Sequence, residues 1–237
     1  MTHRLLPLLV ATTLVAPGLP LAAEPLQLAP LEALVGAPPP PGSAAAADDL
    51  AVLRWLQRFR SPEQVAGAWL LLDRNTNLFS RALGVDMAKT TPAINRGLRA
   101  FLSEVDAASG QIKQRQRRPR PYQSHPDLQP CLPLESGFSF PSGHATWYAA
   151  TAELLAALVP QRRERLLAVG LHGGGSRVMC GVHYPTDVEA GLRLGRAAAA
   201  QLVGGARWQR FQQDPAVQAE LQVLRQLPDA ALPLLVR

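Results

Sequence analysis

The sequence predicts an all-α, bundle-like single domain, and three observations carry that reading. Apolar residues recur at helical spacing through most of the chain beyond residue 48, no stretch alternates apolar and polar residues as a half-buried strand would, and the proline-rich stretches fall between the periodic ones. With 237 residues the chain is long enough for one domain with a substantial core and too short for two ordinary domains with linkers.

Taken in order, residues 1–23 read as a signal peptide. Met1-Thr-His-Arg4 is a short cationic start, Leu5 to Leu21 is an apolar run broken by Pro17 and Pro20, and Leu21-Ala22-Ala23 offers small residues for cleavage before Glu24. A membrane anchor is the competing reading, but an anchor needs roughly 20 uninterrupted apolar residues. Residues 24–47 are a Pro/Ala-rich N-terminal segment. Glu24 to Val35 is mixed in character, and Pro38 to Pro41, Gly-Ser and the alanines that follow are expected to form a stiff surface spacer without helix. Residues 48–237 make up the domain. Asp48 and Asp49 stand where a helix start favours negative charge, ahead of Leu50, Leu53, Leu56 and Phe59 at helical spacing. Ser61-Pro-Glu-Gln64 has the form of an N-cap with proline at the first helical position, opening a helix to Leu72. Leu98, Phe101, Leu102 and Val105 mark a helical stripe between Ile94 and Ile112, and further helices are expected over about 142–159, 162–171, 186–203 and 216–227. Gly173-Gly-Gly175 reads as a flexible or closely packed loop, and no internal repeat is present.

The formal charge is +6, and loss of Arg4 with the leader leaves +5. That balance favours anionic ligands only weakly. A basic chain can also bind nucleic acid, but all its basic residues except Lys89 and Lys113 are arginines, a bias that needs no functional cause. In an exported chain the two cysteines, Cys131 and Cys180, are expected to pair, closing a loop of about 50 residues worth roughly 4 kcal/mol in the chain-entropy model. No stretch beyond the leader is apolar enough to span a bilayer, so no membrane association is expected after its removal.

Three separated segments carry residues suited to holding a phosphoryl group. In Lys113-Gln-Arg-Gln-Arg-Arg-Pro-Arg120-Pro121, residues seven apart would lie within about 20° on a helix, but Pro119 and Pro121 put Arg120 beyond the helix end, from where its fork can reach back. Standing alone, such a run is more simply a solvated surface. In Pro141-Ser142-Gly143-His144, a proline and a small hydroxyl residue open a helical stretch, and a helix N-terminus is an anion site. A lone histidine there is more often a cap or a packed side chain. In Ser176-Arg177-Val-Met-Cys-Gly-Val-His183-Tyr-Pro-Thr-Asp187, the four-residue spacing would set His183 and Asp187 on one helical turn. The carboxylate would then accept from Nδ1 and leave Nε2 free to attack, although a purely structural His–Asp bond fits as well.

Together these read Lys-x6-Arg-Pro, Pro-Ser-Gly-His and Ser-Arg-x5-His-x3-Asp, a pattern that resembles the signature of the type 2 phosphatidic acid phosphatase superfamily, which also holds the vanadium haloperoxidases. The likeness runs from about Pro38 to Val203 and is greatest to the class A bacterial non-specific acid phosphatases. Where those enzymes usually carry Gly-Ser-Tyr before the central motif and Thr after it, this chain has Ser139-Phe140 and Ala145, which is closer to the wider superfamily. The resemblance implies the all-α fold of that superfamily and hydrolysis of phosphate monoesters through a phosphohistidine. In it His183 would be the nucleophile, Asp187 its orienting partner and His144 the general acid, with Lys113, Arg120, Ser142, Gly143 and Arg177 holding the phosphoryl oxygens. A shifted register would put Arg118 in place of Arg120.

No metal and no cofactor are implied, since three cations around the oxygens can serve where a metal ion does elsewhere. The expected partners are small-molecule phosphate monoesters and not nucleic acid, the expected compartment is periplasmic or extracellular, and homo-oligomerisation is left open. Two alternatives remain: a vanadium-dependent haloperoxidase-like enzyme in the same pocket, and a non-enzymatic periplasmic protein that binds anions or nucleic acid through the 115–120 run. A lipid phosphatase is disfavoured because the membrane-embedded relatives have spanning helices that this chain lacks.

Overall fold

Helix α8 (Gly143–Leu158) lies at the centre of the fold because it can be approached closely on two sides. Its residues are apolar nearly all round, with Trp147, Tyr148, Leu154 and Leu155 buried, as a helix without a solvent face requires. On one side stands α9 (Arg163–Met179), on the other α10 (Pro185–Gly204). A Cβ added at Gly195 would come within 2.3 Å of the Thr146 carbonyl oxygen, and one at Gly191 within 2.5 Å of that of Ser142. Glycine is therefore obligatory where α10 crosses α8, because any side chain would drive the backbones apart.

The computed structural model describes residues 25–228 and 232–235, so the expected leader, 1–23, lies outside the described residues. The remaining helices are α1 (Leu28–Val35), α2 (Ala44–Phe59), α3 (Pro62–Leu70), the single turns α4 (Ser80–Leu83) and α5 (Met87–Thr90), α6 (Pro92–Gln116), α7 (Pro121–Ser124), α11 (Ala206–Gln213) and α12 (Pro215–Gln226). No strand occurs among the described residues, and the all-α expectation holds. Starts follow local chemistry. The Ser61 hydroxyl accepts the Gln64 N–H while the Gln64 side chain accepts the Ser61 N–H, and Pro62 takes the first helical position. Helix α6 passes Lys113 and stops at Gln116, where Arg117 turns into the left-handed region at φ 48°.

Several expectations are corrected. The alanines after the proline run belong to a helix, because Ser43 caps α2 by accepting the Ala46 N–H and alanine is the best helix former. Asp49 is consequently inside α2 rather than at its start, and it is buried. Helix α9 does not stop near residue 171. It runs through Gly173-Gly-Gly175 to Met179 because Gly173 lets the Tyr148 ring pack flat against the backbone, where a Cβ would sit 2.4 Å from the ring. That packing outweighs a glycine cost of roughly 1 kcal/mol per residue. Within the mixed segment, Leu31 and Val35 of α1 join the main core, a contact that the spacing of four residues permits.

Candidate active site

Two buried guanidiniums face a buried imidazole. Arg120, just past the end of α6, is 2% exposed, Arg177 in the last turn of α9 is 0% and His183 is 1%. Arg120 Nη1 lies 2.8 Å from His183 Nε2 and also donates to the Val182 carbonyl at 3.0 Å, while its Nε donates to the Gly137 carbonyl. Because a guanidinium can only donate, Nε2 must offer its lone pair and the ring proton must sit on Nδ1. Burial, followed by Arg120, Lys113 and Arg177, pushes the His183 pKa well below its ordinary value, so the imidazole is neutral. Of the two arginines that the motif register left open, Arg120 and not Arg118 meets His183.

Asp187 sits behind the imidazole, but not on a shared helical turn. Helix α10 starts at Pro185, so His183 lies in the link before it and Asp187 in its first turn, where Oδ2 accepts the Tyr184 N–H at 2.8 Å. His183 Nδ1 is 3.4 Å from Asp187 Oδ2, and Ser139 Oγ lies beside both, 3.3 Å from Nδ1 and donating to Oδ2 at 2.5 Å. The other carboxylate oxygen accepts from Arg118 Nη1 at 2.7 Å. Arg118 reaches on to Asp49 Oδ2 at 2.8 Å and stacks on the Tyr184 ring at 3.9 Å, while Asp49 accepts both the Thr186 N–H and its hydroxyl. Burial raises the Asp187 pKa, opposed by Arg118, the Ser139 hydroxyl and the Tyr184 N–H.

His144 lies in the first turn of α8. Its Nε2 is 2.9 Å from the Leu72 carbonyl oxygen and must donate to it, which leaves Nδ1 to exchange a proton. Burial and then Arg177 lower its pKa to about 4, against the raising effects of the Leu72 carbonyl and Glu135. The Ser142 hydroxyl caps α8 by accepting the Ala145 N–H. Beside Gly143 an added Cβ would meet only Ser109 Oγ, at 4.0 Å, so there is room next to Gly143 itself.

Lys113 does not extend its ammonium freely into the pocket. Nζ donates to the carbonyls of Phe138, Ser139 and Pro141 at 2.7–3.2 Å, using all three of its protons to hold the loop that carries Ser139 and leads into Ser142. Burial, then Arg120, lowers its pKa to about 7, opposed by Asp187 and Glu135.

Sequence reasoning missed Glu135 and the places that Ser139, Arg118 and Asp49 take around Asp187, although Arg118 was named as a register alternative and Asp49 as a helix-start residue. Glu135 Oε2 accepts from Arg120 Nη2 at 2.6 Å and Oε1 from Arg177 Nη2 at 2.5 Å. An acidic residue on the loop just ahead of an anion-binding motif was a signal available in the sequence, whereas the other three are recruited by distant partners and leave no local pattern. Cys131 and Cys180 form the expected disulfide, with Cα atoms 4.7 Å apart and the Cys131 N–H donating to the Cys180 carbonyl at 3.0 Å. The bond ties the loop bearing Glu135 to the end of α9 bearing Arg177.

Residues 98–210, which hold every expected site residue, match the family model described as PAP2 superfamily, and over that span the chain belongs to this superfamily. An acid phosphatase of Zymomonas mobilis is 31% identical over 171 residues, covering 65% of this chain and 64% of the relative. Other matching relatives, 30% and 34% identical, bear the description non-specific acid phosphatase. A decaprenylphosphoryl-5-phosphoribose phosphatase of Mycolicibacterium smegmatis is 42% identical over 115 residues, 46% of this chain and 61% of the relative. The chain thus spans less than two thirds of the length of these curated relatives. The crystal structure of a transmembrane PAP2-type phosphatidylglycerolphosphate phosphatase from Bacillus subtilis shares the fold, with a TM-score of 0.50 and 22% identity over 75% of this chain and 90% of that one. Among the described residues no helix is long and apolar enough to cross a membrane.

Proposed function

We propose that the chain is an acid phosphatase that hydrolyses phosphate monoesters through a phosphohistidine at His183, without a metal ion. The observation that carries this reading is the neutral, buried His183, whose Nε2 lone pair points at a guanidinium 2.8 Å away while a second guanidinium, Arg177, flanks the same pocket. A phosphoryl group held by these cations would present phosphorus to Nε2. The N–P bond forms as the ester P–O bond breaks, and His144 gives a proton to the departing alkoxide. Water then attacks phosphorus, His144 takes its proton, the N–P bond breaks and inorganic phosphate leaves. Asp187 balances the charge that develops on His183, and the two arginines meet the charge spread over the phosphoryl oxygens in place of a metal.

The test is a panel of phosphate monoesters assayed with EDTA present. Turnover that survives EDTA and falls about 1,000-fold or more in His183→Ala is expected for loss of a nucleophile. Activity abolished by EDTA, or retained by the variant, would refute the reading. A second reading, esters with an apolar body, is favoured by one observation. Trp69, Leu70 and Leu134 are at least half exposed on the segments that supply the Leu72 carbonyl and Glu135. A lipid-linked phosphate in detergent, placed in the same panel, decides it: a higher kcat/KM than the small esters give would establish this class.

A further inference from the structure

The two carboxylate oxygens of Glu135 are placed as two oxygens of a bound phosphoryl group would be, one on Arg120 Nη2 and one on Arg177 Nη2. The geometry points to Glu135 as a built-in occupant of the phosphoryl site, one that must be displaced by substrate and so selects monoesters, with three terminal oxygens, over anions that offer only two. This rests on the phosphatase reading of the same pocket.

Four features distinguish a displaceable carboxylate from a structural ion pair. The arginines are 2% and 0% exposed and cannot retreat into water, whereas the Glu135 side chain is 35% exposed and can. The backbone of Glu135 is fixed on both sides, since its N–H donates to Tyr122 Oη at 3.0 Å and its carbonyl accepts from the same hydroxyl at 2.6 Å. Release therefore needs only rotation of the side chain, and the loop stays in place. Third, Arg177 has capacity beyond this one bond: its Nε and Nη1 are buried without a hydrogen-bond partner among the described residues. A group with three terminal oxygens can engage more of these donors than a carboxylate can. Finally, although burial alone would raise its pKa, Arg120 and Arg177 hold Glu135 at about 2, so it stays ionised wherever the enzyme would work and mild acid does not release it. Only a competing anion can.

Selectivity follows from the number of oxygens. The pocket gives up two charge-assisted bonds when Glu135 leaves. A monoester's three terminal oxygens can replace both and also reach the unpartnered donors of Arg177, whereas a phosphodiester, with two, merely exchanges like for like.

The experiment is calorimetric titration of the oxidised full chain with inorganic phosphate, for wild type, Glu135→Gln and Glu135→Asp, together with ester kinetics. Loss of the internal competitor is expected to tighten phosphate binding about tenfold or more in Glu135→Gln, the scale of one charge-assisted contact. The ester KM should fall further than kcat. The shorter aspartate cannot bridge both arginines and should give an intermediate affinity, which decides the matter should the glutamine variant fail to fold. Dimethyl phosphate is expected to inhibit the glutamine variant and not wild type. Unchanged or weaker phosphate binding in the variants overturns the proposal, and equal inhibition of both proteins by dimethyl phosphate overturns the selectivity. If no form binds phosphate, the phosphatase reading itself falls and this inference with it.

Discussion

In the proposed mechanism a neutral His183 and a reluctant His144 divide the chemistry between them. Arg120 can only donate, so it fixes the lone pair of His183 at Nε2, the atom that would attack in the proposed mechanism. His144 has its pKa lowered to about 4, so above that pH each further unit removes about nine tenths of its remaining protonated form in the free enzyme. Since kcat/KM reports the free enzyme, it should decline as pH rises above about 4, and a pH profile of His144→Ala should lack that limb. The loss in that variant should be about 100-fold or more for an alkyl phosphate and much smaller for an aryl ester whose leaving group departs as a stable anion. Equal losses on both esters would mean that His144 does not protonate the leaving oxygen. Both histidines and Arg120 were legible in the sequence because motif spacing encodes them. Ser139, Arg118 and Asp49 were not, since each matters only through a partner brought near by folding. Asp49 shows why: as one of two consecutive acids it suited a helix start, yet its burial against Thr186 and Arg118 depends on a residue 137 positions away.

At the level of elements, the site is a by-product of close helix packing. Helices α9 and α10 carry Arg177 and Asp187, α8 begins with His144, and the glycine contacts set how near these three approach. Gly195→Val would force its side chain into the Thr146 carbonyl and part α8 from α10, with an expected cost of about 1–3 kcal/mol in denaturant unfolding and a lowered kcat. The Asp49–Arg118–Asp187 chain couples α2 to His183. Removing one member of a buried pair typically costs about 3–5 kcal/mol. Arg118→Met should therefore lower the unfolding midpoint and reduce kcat more than it raises KM, since Arg118 touches the carboxylate that orients His183 and not the proposed phosphoryl site. A change in KM alone would contradict that role. Most helices were readable from apolar spacing and from Pro and Ser at their starts. The full length of α9 was not, because a triple glycine argues locally for a loop, and only the Tyr148 ring explains why it stays helical.

Across the whole molecule, the N-terminal third supplies no residue of the three motifs and yet frames the site, through Asp49 on α2 and the Leu72 carbonyl after α3. Its sequence gave little sign of this beyond its helical spacing. The Cys131–Cys180 bond crosses the other side of the pocket, spanning 49 residues. Replacing both cysteines by serine should cost about 4 kcal/mol in the chain-entropy model. It should also weaken inorganic phosphate binding, because the loop opposite Arg177 would lose its covalent anchor. Measured unfolding and titration of that double variant would check both. The same bond gives the chain a sense of where it is. In surroundings that keep thiols reduced, the pocket would be assembled from non-covalent contacts alone and would hold phosphate less tightly. Oxidation would then strengthen the site, and adding a reductant to the purified protein should weaken phosphate binding as the double serine variant does.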